Sequence, residues 1–437
     1  MTWFGAPKDA AAGRSGVVTV LDIGSTKICC VIGKLKPCAE SEHLPGRTHT
    51  VKVIGIGHQK SQGVKSGTIV DLDRAEQAVR LAVDAAERMA GLTVESLLVN
   101  VSAGRLKSSV LSSSVNLGGH EAGEGDIKRV LAAGAKQAMK AEREVIHALP
   151  IGFSLDAERG VRDPRGMIGE TLGVDMHVLT AEAAPLRNLE LCVNRSHLSV
   201  ERLVATSYAS GLSALVDDEA EMGAACIDMG GGTTTISIFA DGKFVHADVL
   251  PIGGGHVTMD LARGLSTRKD HAERLKVMHG SALPAGDDDR DMVNVQPMGP
   301  DETDVPQQVP RAIMNRIIRA RVEETLELVR DRLNKSGFGG VVGKRVVLTG
   351  GASQLAGLPE VARRILARNV RLGRPLGVTG LPEAAKGPAF ATTVGLLIYP
   401  QVAAFEGRYG KGSALRFRAT GTGGRFQRVS QWLRDSF

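Results

Sequence analysis

The chain has 437 residues, a net charge of +6, 43% apolar residues and only 3% aromatic residues. That length exceeds one simple core, so two to four lobes are expected, and no apolar run reaches the about 18 residues that would cross a bilayer. Few aromatics leave few platforms for nucleic-acid bases. The five cysteines (29, 30, 38, 192 and 226) form no CxxC pair and have no histidine at metal-ligand spacing, which predicts a reduced cytoplasmic protein without a zinc site.

In chain order, residues 1–16 lack an apolar stretch of signal-peptide length and read as a flexible lead. "VVTVLDIG" and "KICCVIGKL" predict a hairpin around a tight turn, with Cys29 and Cys30 as small core residues. "TVKVIGIGHQKSQGVKSGTIV" adds a strand and a glycine-rich connection. "DLDRAEQAVRLAVDAAERMAGL" predicts a helix capped by Asp71 or Asp73 and stopped by Gly91, with Ala75, Val79, Ala82, Val83 and Ala86 at helical spacing. Residues 96–175 change texture, running strand, helix, strand and turn-rich loop, as a small α+β insertion would.

From Leu203 to Val216 a strand runs into a helix, and "GAACIDMGGGTTTISIF" predicts a second hairpin. "PIGGGHVTMDLARGL" is a glycine-rich turn opening a helix, and Pro284–Pro310 reads as a loop. A long amphipathic helix from Arg311 to Asn334 follows, with Ile317, Val322, Leu326, Val329 and Leu333 as its core stripe. "KRVVLTGGASQLAGLPEVARRIL" is strand, turn and helix, and "GPAFATTVGLLIYP" is a final helix stopped by Pro400. Alternation of strands and helices gives the α/β class.

The two hairpins repeat one pattern 206 positions apart: Asp22 aligns with Asp228, Gly24 with Gly230 and Thr26 with Gly232. With "LTGGASQL" they make three glycine-rich turns after strands. Glycine lets backbone approach a phosphate or sugar closely, and successive N–H groups and hydroxyls can face phosphate oxygens. The candidate binding residues are Asp22, Gly24, Ser25, Thr26 and Lys27 in the first turn. The second offers Asp228, Gly230, Gly231, Gly232, Thr233 and Thr234, and the third Gly350, Gly351 and Ala352. Asp22 and Asp228 would repel phosphate unless Mg²⁺ lay between, linked to them through water. One such turn alone is more often a plain hairpin. None matches the P-loop or the dinucleotide fingerprint.

The order of these turns resembles the actin, Hsp70 and sugar-kinase superfamily. "LDIGSTK" and "IDMGGGTT" look like its two phosphate motifs, "LVATSYASGLSAL" and "GPAFATTVGLLI" like its connecting helices, and "VVLTGGASQLAGL" like its adenosine motif, across residues 17–405. "HQKSQGVKSGTIVDLDRAEQAVRLAVDAAE" and "AERLKVMHGSA" make the likeness closest to the bacterial cell-division family FtsA. That resemblance implies a duplicated, ribonuclease H-like actin fold: two lobes around an ATP cleft, with an α+β insertion. It divides the chain into a first ATPase subdomain (17–95, 176–216 and 386–405), the insertion (96–175), a second ATPase subdomain (217–252 and 325–385) and a partner-binding subdomain (253–324).

The same resemblance implies ATP and Mg²⁺ as cofactors and self-assembly into filaments. The tubulin-like protein FtsZ would bind through its C-terminal peptide, with Arg321 and Glu324 in "RARVEETLEL" as candidate contacts; an ordinary solvated helix face is the alternative. Later division proteins are further expected partners, and the cytoplasmic face of the inner membrane at mid-cell is the expected location. Thr235 departs from the pattern, standing where relatives commonly carry an acid. With no general base to assign, at most slow ATP hydrolysis is expected.

From Glu406 onward there are seven basic residues and two acids, five of the six net positive charges. Residues 406–423 read as a flexible basic linker. In 424–437, "GRFQRVSQWLRDSF", Phe426, Val429, Trp432, Leu433 and Phe437 share one side of a helix, flanked by Arg425, Arg428 and Arg434. That pattern fits an amphipathic anchor on an anionic lipid surface, which the resemblance implies is the inner membrane; a helix packed on the body is the alternative. Two other functions fit the same superfamily: an ATP-dependent kinase or exopolyphosphatase, and a pilus-assembly ATP-binding protein.

Overall fold

A computed structural model describes residues 16–38, 47–138, 142–156, 158–284, 291–298 and 306–403. The expectations for residues 1–15 and 406–437, the tail helix included, lie outside the described residues.

Two sheets repeat one plan. In the first, Val17–Ile23 pairs antiparallel with Lys27–Pro37 on one side and parallel with Ser96–Val101 on the other. Ser199–Ala205 and His49–Lys60 extend it outward, and Val378–Thr379 closes the edge. In the second, Ala224–Met229 pairs antiparallel with Thr234–Ala240 and parallel with Arg345–Thr349, flanked by Lys243–Leu250 and Asn369–Leu372. Both central strands are buried on both faces, which explains their continuous apolar runs. The sequence repeat is therefore a structural repeat: Asp22 lies opposite Cys29, and Asp228 opposite Thr235.

A third sheet forms the insertion: Lys107–Asn116, Thr171–Glu182, Arg143–Leu155 and Glu158–Val161, covered by the helix Glu124–Ala138. The strand Ser96–Val101, expected to open the insertion, instead belongs to the first large sheet, because its partners Val17–Ile23 and Ser199–Ala205 are parallel and distant in sequence. Thr171–Glu182 likewise runs past the expected end at 175. Val378–Thr379, expected with the second half, pairs with His49–Lys60 of the first.

The insertion is fastened to the second sheet by a buried histidine. His177 Nδ1 donates to the Phe244 carbonyl at 2.9 Å, so its Nε2, 2.7 Å from Ser108 Oγ, accepts a hydrogen bond from that hydroxyl. Burial keeps this imidazole neutral, pushing its pKa down to about 3.

Helix ends follow local chemistry. The helix Leu72–Ala90 starts at Asp71, whose carboxylate accepts from Arg74 N at 3.1 Å, and stops at Gly91 with φ 66°. The long helix runs from Arg311 to Lys335 and buries Met314, Ile318, Val322, Leu326, Val329 and Leu333; Ile317 of the expected stripe is only half-buried. Pro284–Pro310 is not wholly a loop. Met292–Val295 pairs with Gln307–Pro310, burying Val293, Val295 and Val309. Nor does Pro400 stop the last helix, which spans Ala391–Val402 with that proline inside. A proline costs one helical hydrogen bond, but Tyr399 and Gln401 on either side are buried and hold the last turn in place.

The helices Thr206–Ala214 and Ala391–Val402 cross between the two large sheets. They approach so closely that a Cβ at Gly395 would strike the Ala209 carbonyl. Gly395→Val should lower unfolding stability by about 2 kcal/mol or more, as overpacking does. Gly125→Ala is the control: its added carbon meets nothing within 4 Å in a helix, and it should be neutral or stabilising. Urea unfolding of both variants measures the difference; equal effects would show that the crossing is not tight.

Candidate functional site

Each hairpin tip is a short turn closed by one backbone bond: Gly24 N to Lys27 O at 3.0 Å, and Gly230 N to Thr233 O at 2.9 Å. The tips meet. A Cβ on Gly231 would run into Thr26, and one on Gly232 would lie 2.9 Å from Ser25 Cβ and 3.0 Å from Ser66 Cα. No side chain fits between the tips, so the glycines serve close approach. The turn before the Gly254–Gly264 helix docks on the second tip: Gly254 N donates to Gly230 O at 2.9 Å and Gly255 N to Gly231 O at 2.7 Å.

The third turn reaches the same place. Gly350 adopts φ 84°, and a Cβ there would collide with Asp228 Oδ1. Residues Gly351–Gln354 form a short helical turn, with Ala352 packed against Gly254. Thus Gly24, Ser25, Thr26 and Lys27, Gly230–Thr233, and Gly350–Ala352 converge on one cleft. The described contacts place Thr234 less directly: its hydroxyl donates to Ile252 O at 2.8 Å, away from the tips.

Asp22 and Asp228 end their strands 7% and 6% exposed. Burial pushes Asp228 up to about 6; Thr392 opposes the shift by hydrogen bonding, and the nearby Asp22 carboxylate adds to it. Burial also raises Asp22, against the pull of Lys27 and Thr393. Lys27 bends toward the last connecting segment, donating to Ala389 O with its ammonium 3.5 Å from the Phe390 ring centroid. Among the described residues no three His, Cys, Asp or Glu side chains converge as a ready metal cage. Two buried carboxylates beside tips that only glycine can occupy fit a cation shared with an anionic ligand, rather than a cation held by protein alone.

Several cleft residues were not evident from sequence. Thr392 and Thr393 bond the two aspartates, but nothing marks them in "GPAFATTVGLLI" beyond two adjacent hydroxyls at a helix start. Lys276 Nζ bonds Gly254 O at 3.1 Å, Thr258 Oγ1 at 2.9 Å and Glu273 Oε2 at 2.7 Å, building a polar wall beside Ala352. Its signal was the i, i+3 pair in "AERLK". Thr235 shares a face with Asp228, its cross-strand partner, and its buried hydroxyl has no hydrogen-bond partner among the described residues.

Arg321 and Glu324 lie away from this cleft. Arg321 Nε meets Asp260 Oδ2 at 2.5 Å and its Nη1 meets Glu324 Oε2 at 2.5 Å. They form a half-exposed ion triad joining the Arg311–Lys335 and Gly254–Gly264 helices. No helix among the described residues is long and apolar enough to cross a membrane.

Two hairpin-bearing sheets, two crossing helices and a cleft at the hairpin tips define an actin-like fold. Solved structures agree in fold: that of the PilM-PilN type IV pilus biogenesis complex (TM-score 0.61, 15% identity, 88% of this chain and 98% of the other) and MreB5 of Spiroplasma citri bound to ADP (TM-score 0.51, 12% identity, 88% and 96%). The family model "Cell division protein FtsA" matches residues 225–395, and "SHS2 domain inserted in FTSA" matches 103–180, the region of the third sheet. The Cell division protein FtsA of Rhizobium meliloti is 66% identical over 99% of this chain and 98% of its own length. That of Escherichia coli K12 is 30% identical over 96% and 98%. The chain belongs to the FtsA family of cell division proteins.

Because the folded-state pKa of Asp228 lies above its ordinary 3.8, the folded chain holds this proton more tightly than the unfolded chain does. That contribution is fully present below about pH 4 and is lost as pH rises toward about 6. Asp228→Asn should therefore gain on the parent by on the order of 3 kcal/mol between pH 4 and pH 7, in ligand-free protein. Urea unfolding across that range checks it, and a pH-independent difference would count against a buried carboxylate.

Proposed function

We propose that this protein binds ATP with Mg²⁺ between its two hairpins, assembles into filaments, and attaches FtsZ to the cytoplasmic face of the inner membrane. The observation that carries the reading is the tip-to-tip meeting of two Asp–Gly hairpins, with Gly350 against Asp228. Backbone donors of Ser25–Thr26 and Gly231–Thr233 would hold phosphates, and Gly350–Ala352 with Lys276 would lie toward the nucleoside. Bound Mg²⁺ would supply positive charge between phosphates and the two carboxylates. MreB5 of Spiroplasma citri, which shares the fold, has been solved bound to ADP and to AMPPNP, and that supports a nucleotide as the ligand. Thr235 puts a hydroxyl, not an acid, at the cross-strand position opposite Asp228, which favours nucleotide as an assembly signal over rapid turnover.

Attachment rests on the tail. Burying Phe426, Val429, Trp432, Leu433 and Phe437 at a lipid interface is worth on the order of 1.5–3 kcal/mol each, against about 1–2 kcal/mol of backbone ordering per residue. One copy binds modestly, and a filament of many copies binds well through effective concentration. Arg321, set between Asp260 and Glu324, is the proposed cationic contact for an acidic FtsZ peptide, and later division proteins would join the same assembly.

Three outcomes are expected. Gly232→Asp, which places a carboxylate against Ser25, should bind Mg-ATP at least tenfold more weakly in calorimetry while remaining folded; unchanged affinity would move the site elsewhere. Arg321→Glu should weaken the FtsZ C-terminal peptide in fluorescence titration by about tenfold, whereas equal binding would leave this helix face as ordinary surface. Trp432→Glu should abolish co-sedimentation with anionic vesicles while Mg-ATP binding persists; pelleting equal to the parent would rule out the tail as anchor.

A further inference from the structure

The segment Pro388–Thr393 touches all three turns of the cleft. Pro388 O accepts from Gly350 N at 3.1 Å and from Thr349 Oγ1 at 3.3 Å. Ala389 O accepts from Lys27, whose ammonium also lies over Phe390. Thr392 Oγ1 donates to Asp228 Oδ2 at 2.8 Å, and Thr393 Oγ1 donates to Asp22 Oδ2 at 3.0 Å. The two threonines are neighbours in the first turn of the Ala391–Val402 helix, yet their partners lie 206 residues apart, one in each half of the molecule.

Adjacent residues on a helix point about 100° apart, so one turn can reach carboxylates on both sides. Both hydroxyls are buried, Thr392 7% and Thr393 1% exposed. The turn itself is anchored by the crossing at Gly395 and Ala209. Each threonine occupies one oxygen of its aspartate and fixes the direction of the other. The spacing and orientation of the two carboxylates are thereby set by a single helical turn, not by the hairpins alone.

We infer that Thr392 and Thr393 are positioning residues for the divalent cation between Asp22 and Asp228. They orient the carboxylates and do not touch the nucleotide. This inference rests on the nucleotide reading above. It separates two quantities, affinity for ATP itself and the gain in affinity that Mg²⁺ confers; loss of either threonine hydroxyl should reduce the second and spare the first.

The test compares the full-length parent with Thr392→Val, Thr393→Val and the conservative Thr393→Ser, measuring ATP binding by calorimetry in EDTA and at saturating Mg²⁺. Thermal unfolding without ligand confirms that each variant folds. The expected result is an unchanged affinity in EDTA and a Mg²⁺-dependent gain reduced by about tenfold in each valine variant, the size of one hydrogen bond to a charged group. Thr393→Ser should keep the parent's gain. A folded valine variant with the parent's full Mg²⁺ gain would overturn the positioning role alone. An equal loss in EDTA and in Mg²⁺ would also overturn it, pointing to general damage of the cleft. A parent chain that binds no ATP in either condition would overturn the nucleotide reading and the role together. If Thr392→Val does not fold, Thr393→Val and its serine counterpart decide the matter.

Discussion

Two carboxylates buried at the ends of equivalent strands constrain everything else in this molecule. An unpaired charge out of water costs several kcal/mol, so Asp22 and Asp228 have to be answered by their surroundings. Thr393 and Thr392 answer them from one helix, and Lys27 offsets Asp22. Asn100 sets the end of the first central strand: its carbonyl accepts from Ile23 N at 2.7 Å, while its amide donates to Thr206 at the start of the first connecting helix. The glycines at 231, 232 and 350 follow from the same constraint, since each stands where a Cβ would fill the space around the carboxylates or between the tips.

This arrangement links the cleft to the fold's two halves. The six-stranded and five-stranded sheets each deliver one aspartate and one turn. The crossing helices join the sheets, and Pro388–Thr393 contacts every turn. A ligand that draws the tips together or apart therefore acts on both halves through short, stiff connections. That is the mechanical property a nucleotide-controlled filament subunit needs. The insertion, pinned by His177 and Ser108 to the strand Lys243–Leu250, would move with the second sheet's edge as well as with the first half.

Much of this was legible in the sequence because the decisive signals are local. The Asp–Gly turns, the Asp71 cap, the Gly91 stop and the helical stripe from Val322 to Leu333 each fall within a few residues. Long-range pairing was not legible. Ser96–Val101 reads like any short apolar strand, and only its parallel partners assign it to the large sheet. The hairpin of Met292–Val295 and Gln307–Pro310 alternates over just four residues per strand, too few to stand out among prolines and acids. Thr392 and Thr393 acquire their role from partners 164 and 371 residues away. Nothing local to Arg321 announces its ion pair with Asp260, which comes from another helix. Pro400 would end an isolated helix, but burial of its neighbours overrides that local preference.

The central claim is that three turns separated by more than 300 residues form one nucleotide site. Hydrogen–deuterium exchange of the full chain, with and without Mg-ATP, tests it most directly, because the backbone of all three turns would lie against the nucleotide. The account expects simultaneous protection of residues 24–27, 230–233 and 350–352 on adding Mg-ATP, weaker when EDTA removes the Mg²⁺. Protection confined to one turn, or none at all, would contradict it.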